Sequence, residues 1–299
     1  MIGDMQKWTP NVAGIIEHAR EIHPKTEIIS RLVSGEIHRS NYEKVCIRSR
    51  KLASALEKDG VKKGDVIATL ALNTYRHLEM YYGISGMGAI THTLNFRLHP
   101  EQAVYIINHA EDKIIFVELP FVPILEALQE NLKTVEKYVV LCEVDEMPET
   151  TLKNAISYEE YIQDGDENYS WPTLEDDAAC ALCYTSGTTG NPKGVLYSHK
   201  SNVIHAQAAL TAMTIKPDDT ILMVVPLFHV LAWGIPYFGP MNGLKLVMPG
   251  MQMEGEPLFE LIDQEDVTLA FGVPTIWMGL LAYCRDNNKI LSSVKNTII

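Results

Sequence analysis

A glycine- and hydroxyl-rich segment is the part of this chain whose residue types point most directly to chemistry. It reads TSGTTGNPKG over residues 185–194 and follows an apolar run over residues 178–184. Its three glycines allow a tight turn that brings backbone N–H groups close to an anion, and its four hydroxyls and one lysine add further donors. A loop of this composition is suited to holding phosphate groups.

The residues after this loop distinguish it from the P-loop of nucleotide-binding proteins. No Gly-Lys-Ser/Thr sequence is present, residues 195–197 are typical of a second strand, and a helix is predicted to begin near Ser198 or His199. The predicted order is therefore strand, loop, strand and helix. A flexible glycine-rich surface turn is the alternative interpretation of the same residues.

The elements that must position this loop follow from an alternation of short β-branched runs with helical patterns. Residues 27–33 and 36–38 flank Ser34-Gly35 and predict a hairpin. A helix follows, with a capping-box spacing from Ser40 to Glu43. Further strands are predicted over residues 65–72, 89–94, 113–118 and 138–142, and further helices over residues 75–87, 101–109 and 123–131. This alternation predicts an α/β fold with a largely parallel sheet covered on both faces.

The chain is predicted to have two α/β subdomains. Residues 143–177 are polar and acidic, which is typical of a surface connection. We therefore expect one subdomain over residues 1–170 and a second, which carries the loop, over residues 171–299. Residues 292–299 have no C-cap, polar tail or terminal helix, so we expect the second subdomain to be incomplete at its C-terminus.

Composition excludes some classes of function. With 25 Lys and Arg against 38 Asp and Glu, the formal charge is 25 − 38 = −13, which excludes a mainly electrostatic nucleic-acid binder. The most apolar stretch, residues 221–240, contains three prolines and a histidine and is a poor candidate for a membrane span. Because the five cysteines are few and the N-terminus has no signal-peptide pattern, we expect a cytoplasmic protein.

Three motifs in order resemble those of one enzyme family. YTSGTTGNPKGV, residues 184–195, is similar to the nucleotide-phosphate loop of the adenylate-forming enzymes, which include acyl- and aryl-CoA synthetases, luciferases and peptide-synthetase adenylation domains. VPLFHVLAW, residues 225–233, and FGVPT, residues 271–275, resemble the next two motifs. Trp233, four residues after His229, favours the fatty acyl-CoA synthetase branch and medium- or long-chain acids. The implied fold has stacked, mostly parallel sheets covered by helices, as in the N-terminal domain of an adenylate-forming enzyme.

The resemblance implies a two-step reaction with ATP, a carboxylic acid and coenzyme A as substrates and Mg²⁺ as cofactor. The acid forms an acyl-adenylate and pyrophosphate, and the coenzyme A thiolate then displaces AMP. Fixed donors and a metal would balance the negative charge that develops in a dry site. The resemblance also allows a homodimer.

The family's functional residues carry over onto the three motifs. Thr185 would coordinate Mg²⁺ through its hydroxyl. The phosphates would be held by Ser186, Gly187, Thr188, Thr189, Gly190 and Lys193. His229 would lie where the acyl carboxylate meets the α-phosphate, although a buried core histidine is the alternative for this residue taken alone. The acyl group would contact Val230 and Trp233, with Trp233 gating or lining its tunnel. Gly272, Val273 and Pro274 would form the tunnel wall.

The resemblance also implies parts of the enzyme that this sequence lacks, including the mobile C-terminal domain. We therefore expect little or no ligase activity from this polypeptide alone. Two alternatives stay open: a non-catalytic nucleotide- or acyl-binding remnant, and a ligase for another acid, either aryl or short and sulfur-containing.

Overall fold

The computed structural model describes residues 4–5, 8–175, 177–185 and 191–299. Its helices are α1 Val12–Ile22, α2 Tyr42–Lys58, α3 Tyr75–Gly86, α4 Pro100–Ala110, α5 Val122–Leu128, α6 Tyr158–Gln163, α7 His199–Ala212, α8 Ile235–Met241, α9 Gly255–Gln264 and α10 Pro274–Asp286. Its strands are β1 Glu27–Arg31, β2 Ile37–Asn41, β3 Val66–Leu70, β4 Ile90–Thr93, β5 Ile114–Val117, β6 Lys137–Val140, β7 Ala155–Ser157, β8 Ala179–Thr185, β9 Lys193–Ser198, β10 Thr220–Met223, β11 Lys245–Met248, β12 Leu269–Phe271 and β13 Asn296–Ile298.

The strands form two sheets. One has seven strands in the order β7-β6-β5-β3-β4-β8-β9, and the other has six in the order β13-β12-β10-β11-β1-β2. The hairpins β1–β2 and β8–β9 are antiparallel, and the other strand pairs of the described chain are parallel. The expected α/β fold with stacked, mostly parallel sheets is therefore confirmed.

The sheets do not follow the expected division between residues 170 and 171. The early hairpin β1–β2 pairs with β11 of the six-stranded sheet, whereas the later hairpin β8–β9 pairs with β4 of the seven-stranded sheet. Each half of the chain thus contributes a hairpin to the sheet formed mainly by the other half. A strand joins the sheet whose edge lies next to it in space, and its position along the chain does not determine which sheet that is.

Helices cover both sheets. A core cluster that includes residues of α1, α2, α3, α7 and α8 joins the facing sides of the two sheets. All residues of α3 are buried, as its position between the sheets requires. The outer side of the seven-stranded sheet packs on α4 and α5, and that of the six-stranded sheet packs on α9 and α10. Among the described helices, none combines the length and apolar character needed to cross a membrane.

Two local predictions were wrong. The polar stretch over residues 143–177 contains β7 and α6, in which Tyr158 and Ile162 are buried. An edge strand and a short helix need only a few apolar residues, so they escape a composition argument. The cap of α2 is Asn41, whose side chain accepts a hydrogen bond from the Lys44 amide at 2.9 Å, and not Ser40.

Candidate active site

The hairpin β8–β9 carries the ends of the predicted phosphate loop. Thr185 ends β8 and pairs with Lys193 at the start of β9, and both residues are exposed. Helix α7 follows directly, with the Ser198 hydroxyl accepting a hydrogen bond from the Ser201 amide at 3.1 Å. The two strands predicted on either side of the loop, and the helix predicted after them, are thus confirmed. Ser186, Gly187, Thr188, Thr189 and Gly190 lie outside the described residues.

The segment after β10 carries the predicted catalytic histidine. His229 is exposed, and its carbonyl accepts a hydrogen bond from the Ala232 amide at 3.0 Å. The residues that follow form a left-handed turn, with φ of 45° at Val230, 56° at Trp233 and 83° at Gly234. This conformation points the chain abruptly into α8. The alternative of a buried core histidine does not fit the exposure of His229.

The carboxyl ends of four strands surround His229. Thr185 and His229 line one cavity of 180 Å³ together with residues that follow β4. His229 and Val273 line a second cavity of 860 Å³, and the two cavities share Asn95, Phe228 and His229. Parallel α/β sheets bind ligands beyond the carboxyl ends of their strands, here those of β4, β8, β10 and β12. Both cavities are at such a position.

A third cavity adjoins the residues that follow His229. Its volume is 390 Å³, and it is lined by Trp233 and by residues of α7. Val230 lines both this cavity and the one of 180 Å³. The structure therefore brings His229, Val230 and Trp233 to successive cavities.

Two predicted wall residues are absent from the lining of the three cavities. Gly272 is buried, and its carbonyl accepts a hydrogen bond from Nε1 of Trp277 at 3.1 Å. Pro274 is exposed and begins α10. Neither residue lines the three cavities, so any contact of Gly272 or Pro274 with an acyl group stays a prediction.

The cavities also have residues that the sequence did not single out. The cavity of 860 Å³ is lined by one arginine and one glutamate, Arg97 and Glu254, which are both exposed. The smaller cavity is lined by Cys183 and Tyr184. Burial raises the pKa of the Cys183 thiol and raises that of Tyr184 to about 12, so both groups stay neutral at physiological pH. Asn95 directly follows the strand predicted over residues 89–94, and this position at the carboxyl end of a strand was the signal in the sequence that could have identified it.

The oxygen donors near Thr185 can be compared with what Mg²⁺ requires. The described residues contain no group of three or more His, Cys, Asp or Glu side chains that could hold a metal ion. Mg²⁺ at phosphate-binding sites commonly has few protein ligands and takes others from phosphates and water. The Thr185 hydroxyl donates to the Lys193 carbonyl at 3.5 Å, which leaves its oxygen lone pairs for a cation. A single hydroxyl ligand of this kind fits the ion.

Similarity to curated proteins extends over the whole chain. A medium-chain-fatty-acid–CoA ligase of Ectopseudomonas oleovorans is 44% identical over 301 residues, which cover 100% of this chain and 55% of that protein. A 3-methylmercaptopropionyl-CoA ligase of Ruegeria lacuscaerulensis is also 44% identical, with 100% of this chain and 56% of that protein covered. The chain thus spans about half the length of these relatives.

The fold is likewise that of a solved structure. The inhibitor-bound N-terminal domain of FACL13 from Mycobacterium tuberculosis superposes with a TM-score of 0.83 at 22% identity, covering 96% of this chain and 69% of that one. The family model described as AMP-binding enzyme matches residues 16–299. This match includes the hairpin β8–β9, the His229 segment and α10. The chain belongs to the AMP-binding enzyme family.

Proposed function

We propose that this chain carries the nucleotide- and acid-binding part of an AMP-forming acyl-CoA synthetase that acts on a medium- or long-chain fatty acid. The observation that supports it best is the meeting of Thr185 and His229 at one cavity of 180 Å³. Thr185 ends a strand of the seven-stranded sheet, whereas His229 follows a strand of the six-stranded sheet, and the two residues belong to separate family motifs. The similarity to a medium-chain-fatty-acid–CoA ligase agrees with this proposal.

In the proposed first step, a carboxylate oxygen of the acid attacks the α-phosphorus of ATP. The bond from that phosphorus to the bridging oxygen breaks, and pyrophosphate leaves with the electron pair. His229 donates a hydrogen bond to the oxygens at the reacting centre, where negative charge is greatest in the transition state. Lys193 and the loop residues Ser186 to Gly190 hold the leaving pyrophosphate. Thr185 would be among the ligands of Mg²⁺, which would supply charge neutralisation when bound.

In the proposed second step, the coenzyme A thiolate attacks the acyl carbonyl carbon. AMP leaves, and a thioester forms. The cavity of 860 Å³ beside His229 gives a second reactant room to approach. We infer that Val230, Trp233 and Val273 contact the acyl group, and that Gly272 and Pro274 form part of the same tunnel wall.

A ligase for a short sulfur-containing acid is the second candidate. It is favoured by the 3-methylmercaptopropionyl-CoA ligase, whose identity to this chain is also 44%. One methylene group in an apolar pocket changes binding by only about 1–3 kcal/mol, so the two candidates differ in a graded preference. Competition between dodecanoyl and 3-methylmercaptopropionyl adenylate analogues separates them, and tighter binding of the dodecanoyl compound supports the main proposal.

The phosphate site is tested by titrating the chain with pyrophosphate and with ATP in the presence of Mg²⁺. Lys193→Ala is expected to weaken binding by about tenfold, because it removes one charged donor. Lys216→Ala is the matched control, since this exposed lysine precedes β10 and so lies at the amino end of that strand. Equal affinities of the wild type and Lys193→Ala would count against the phosphate role.

We also infer a cytoplasmic location and a homodimer. The five cysteines are all buried and unpaired, which supports a reducing compartment. The homodimer rests only on the family resemblance. Light scattering at micromolar concentration tests it, and a monomer mass would exclude it.

A further inference from the structure

The turn that follows His229 is not one that its own residues favour. Four consecutive non-glycine residues, Val230 to Trp233, have φ between 45° and 56°. A left-handed conformation is unfavourable for every L-residue other than glycine because Cβ approaches the following carbonyl oxygen. Such a segment keeps its shape only where surrounding contacts determine it. The contacts made by the residues just before His229 therefore determine where His229 lies.

One buried side chain holds the residues that precede this turn and His229. Asn73 lies just after β3 of the seven-stranded sheet, and its side-chain Nδ2 donates to the carbonyls of Met223 and Val225, both at 2.8 Å. Its Oδ1 accepts from the amide of Leu227, also at 2.8 Å. The backbone from the end of β10 to two residues before His229 is thus fixed from the opposite sheet.

Other contacts from the same side hold the next residues. The Tyr81 hydroxyl of α3 donates to the Leu227 carbonyl. The Thr93 hydroxyl at the end of β4 donates to the Phe228 carbonyl at 3.4 Å. These groups each make one bond to the segment, whereas Asn73 makes three, and only an amide side chain can donate and accept in this pattern.

We propose that Asn73 is a positioning residue for His229, and that it acts by fixing the Met223–Leu227 backbone that places the imidazole at the two cavities. This inference rests on the proposed function for its catalytic meaning. Removing the amide leaves two carbonyls and one N–H buried without their partners, so the segment is expected to leave its position. His229 would then lose its alignment although its own side chain is unchanged.

The next residue gives a matched control. Thr74 is also buried, and its hydroxyl has no hydrogen-bond partner among the described residues. Thr74→Val removes a polar atom of similar size one position away without breaking a hydrogen bond. If any mutation at residues 73–74 had the same effect, that effect would also appear in Thr74→Val. An effect that comes from loss of the Asn73 side-chain amide would be absent from Thr74→Val.

The first readout is hydrogen exchange of the whole 299-residue chain. Asn73→Ala is expected to speed exchange of amides over residues 224–234 by about tenfold or more, with β5 and β6 unchanged and Thr74→Val like the wild type. Asn73→Ser, which keeps one donor, replaces Asn73→Ala if the latter does not fold. Unchanged exchange over residues 224–234 in the folded variant would overturn the proposal.

The second readout is a double-mutant cycle with a dodecanoyl-adenylate analogue as the probe. If Asn73 acts through His229, the Asn73→Ala/His229→Ala variant binds no more weakly than His229→Ala alone. Losses that simply add would show an effect independent of His229 and would overturn the positioning role. If the wild type does not bind the analogue, the proposed function fails, and hydrogen exchange alone then decides whether Asn73 fixes the segment.

Discussion

Replacing Gly272 with alanine tests how closely the wall beside His229 is packed. A Cβ atom at this position would lie 2.7 Å from Cζ2 of Trp277 and 3.2 Å from Cβ of Val224. Ordinary carbon contacts are about 3.5–4.0 Å, so the indole would have to retreat by about 1 Å. It cannot do so freely, because Trp277 is buried and its Nε1 is bonded to the Gly272 carbonyl. We expect a loss of about 1–3 kcal/mol in the free energy of unfolding.

A second glycine, Gly279, provides the control. Gly279 lines the cavity of 860 Å³ from within α10, and a Cβ there would meet no atom within 4 Å. Alanine is a better helix former than glycine, so Gly279→Ala is expected to add about 0.5–1 kcal/mol of stability. Both substitutions add a methyl group near one cavity, and they are expected to change the free energy of unfolding in opposite directions.

The assay is urea unfolding of both variants and the wild type at one pH, followed by tryptophan fluorescence and by far-ultraviolet circular dichroism. Equal slopes with shifted midpoints would show that stability itself has changed. If Gly272→Ala is as stable as the wild type or more stable, the close packing of Trp277 on Gly272 is refuted.

Three further predictions concern other parts of the molecule. Burial raises the pKa of Glu118 from 4.5 to about 7, so the free energy of unfolding of the wild type should fall by roughly 3 kcal/mol as the pH rises between these values. Glu118→Gln should remove this fall, and urea unfolding from pH 4 to 8 that shows the same pH dependence for both proteins would contradict the prediction. Asn41→Ala should lower stability by about 1 kcal/mol through loss of the α2 cap, whereas Asn41→Ser should not, and equal melting temperatures would argue against the cap. Trp233→Ala should weaken binding of a dodecanoyl-adenylate analogue by about tenfold and leave binding of a 3-methylmercaptopropionyl analogue unchanged. Equal losses of affinity for the two analogues would exclude a contact between Trp233 and the acyl chain.

The sequence predicts individual elements better than their arrangement. Alternation and turn residues are local signals, and they indicated the hairpin around Ser34-Gly35 and the helix α3 correctly. Strand order depends on contacts between distant residues, so no local pattern showed that β8 pairs with β4. The same limit applies to Asn95, which reaches the site only because β4 and β8 are neighbours.

The backbone around His229 was also beyond local prediction. Val230, Leu231 and Ala232 have no intrinsic preference for positive φ, and the turn exists because tertiary contacts outweigh that preference. Motif resemblance placed His229 and Thr185 in one site without this knowledge. It could not show that Asn73, from the other sheet, supports the segment.

The most direct test of the account is a crystal structure of the chain with a nonhydrolysable dodecanoyl-adenylate analogue. We expect the phosphate mimic within hydrogen-bonding distance of the His229 imidazole, beside Thr185, with the acyl chain running towards Val230 and Trp233. Clear electron density for the analogue at another place, with the cavities around His229 filled only by water, would contradict the account.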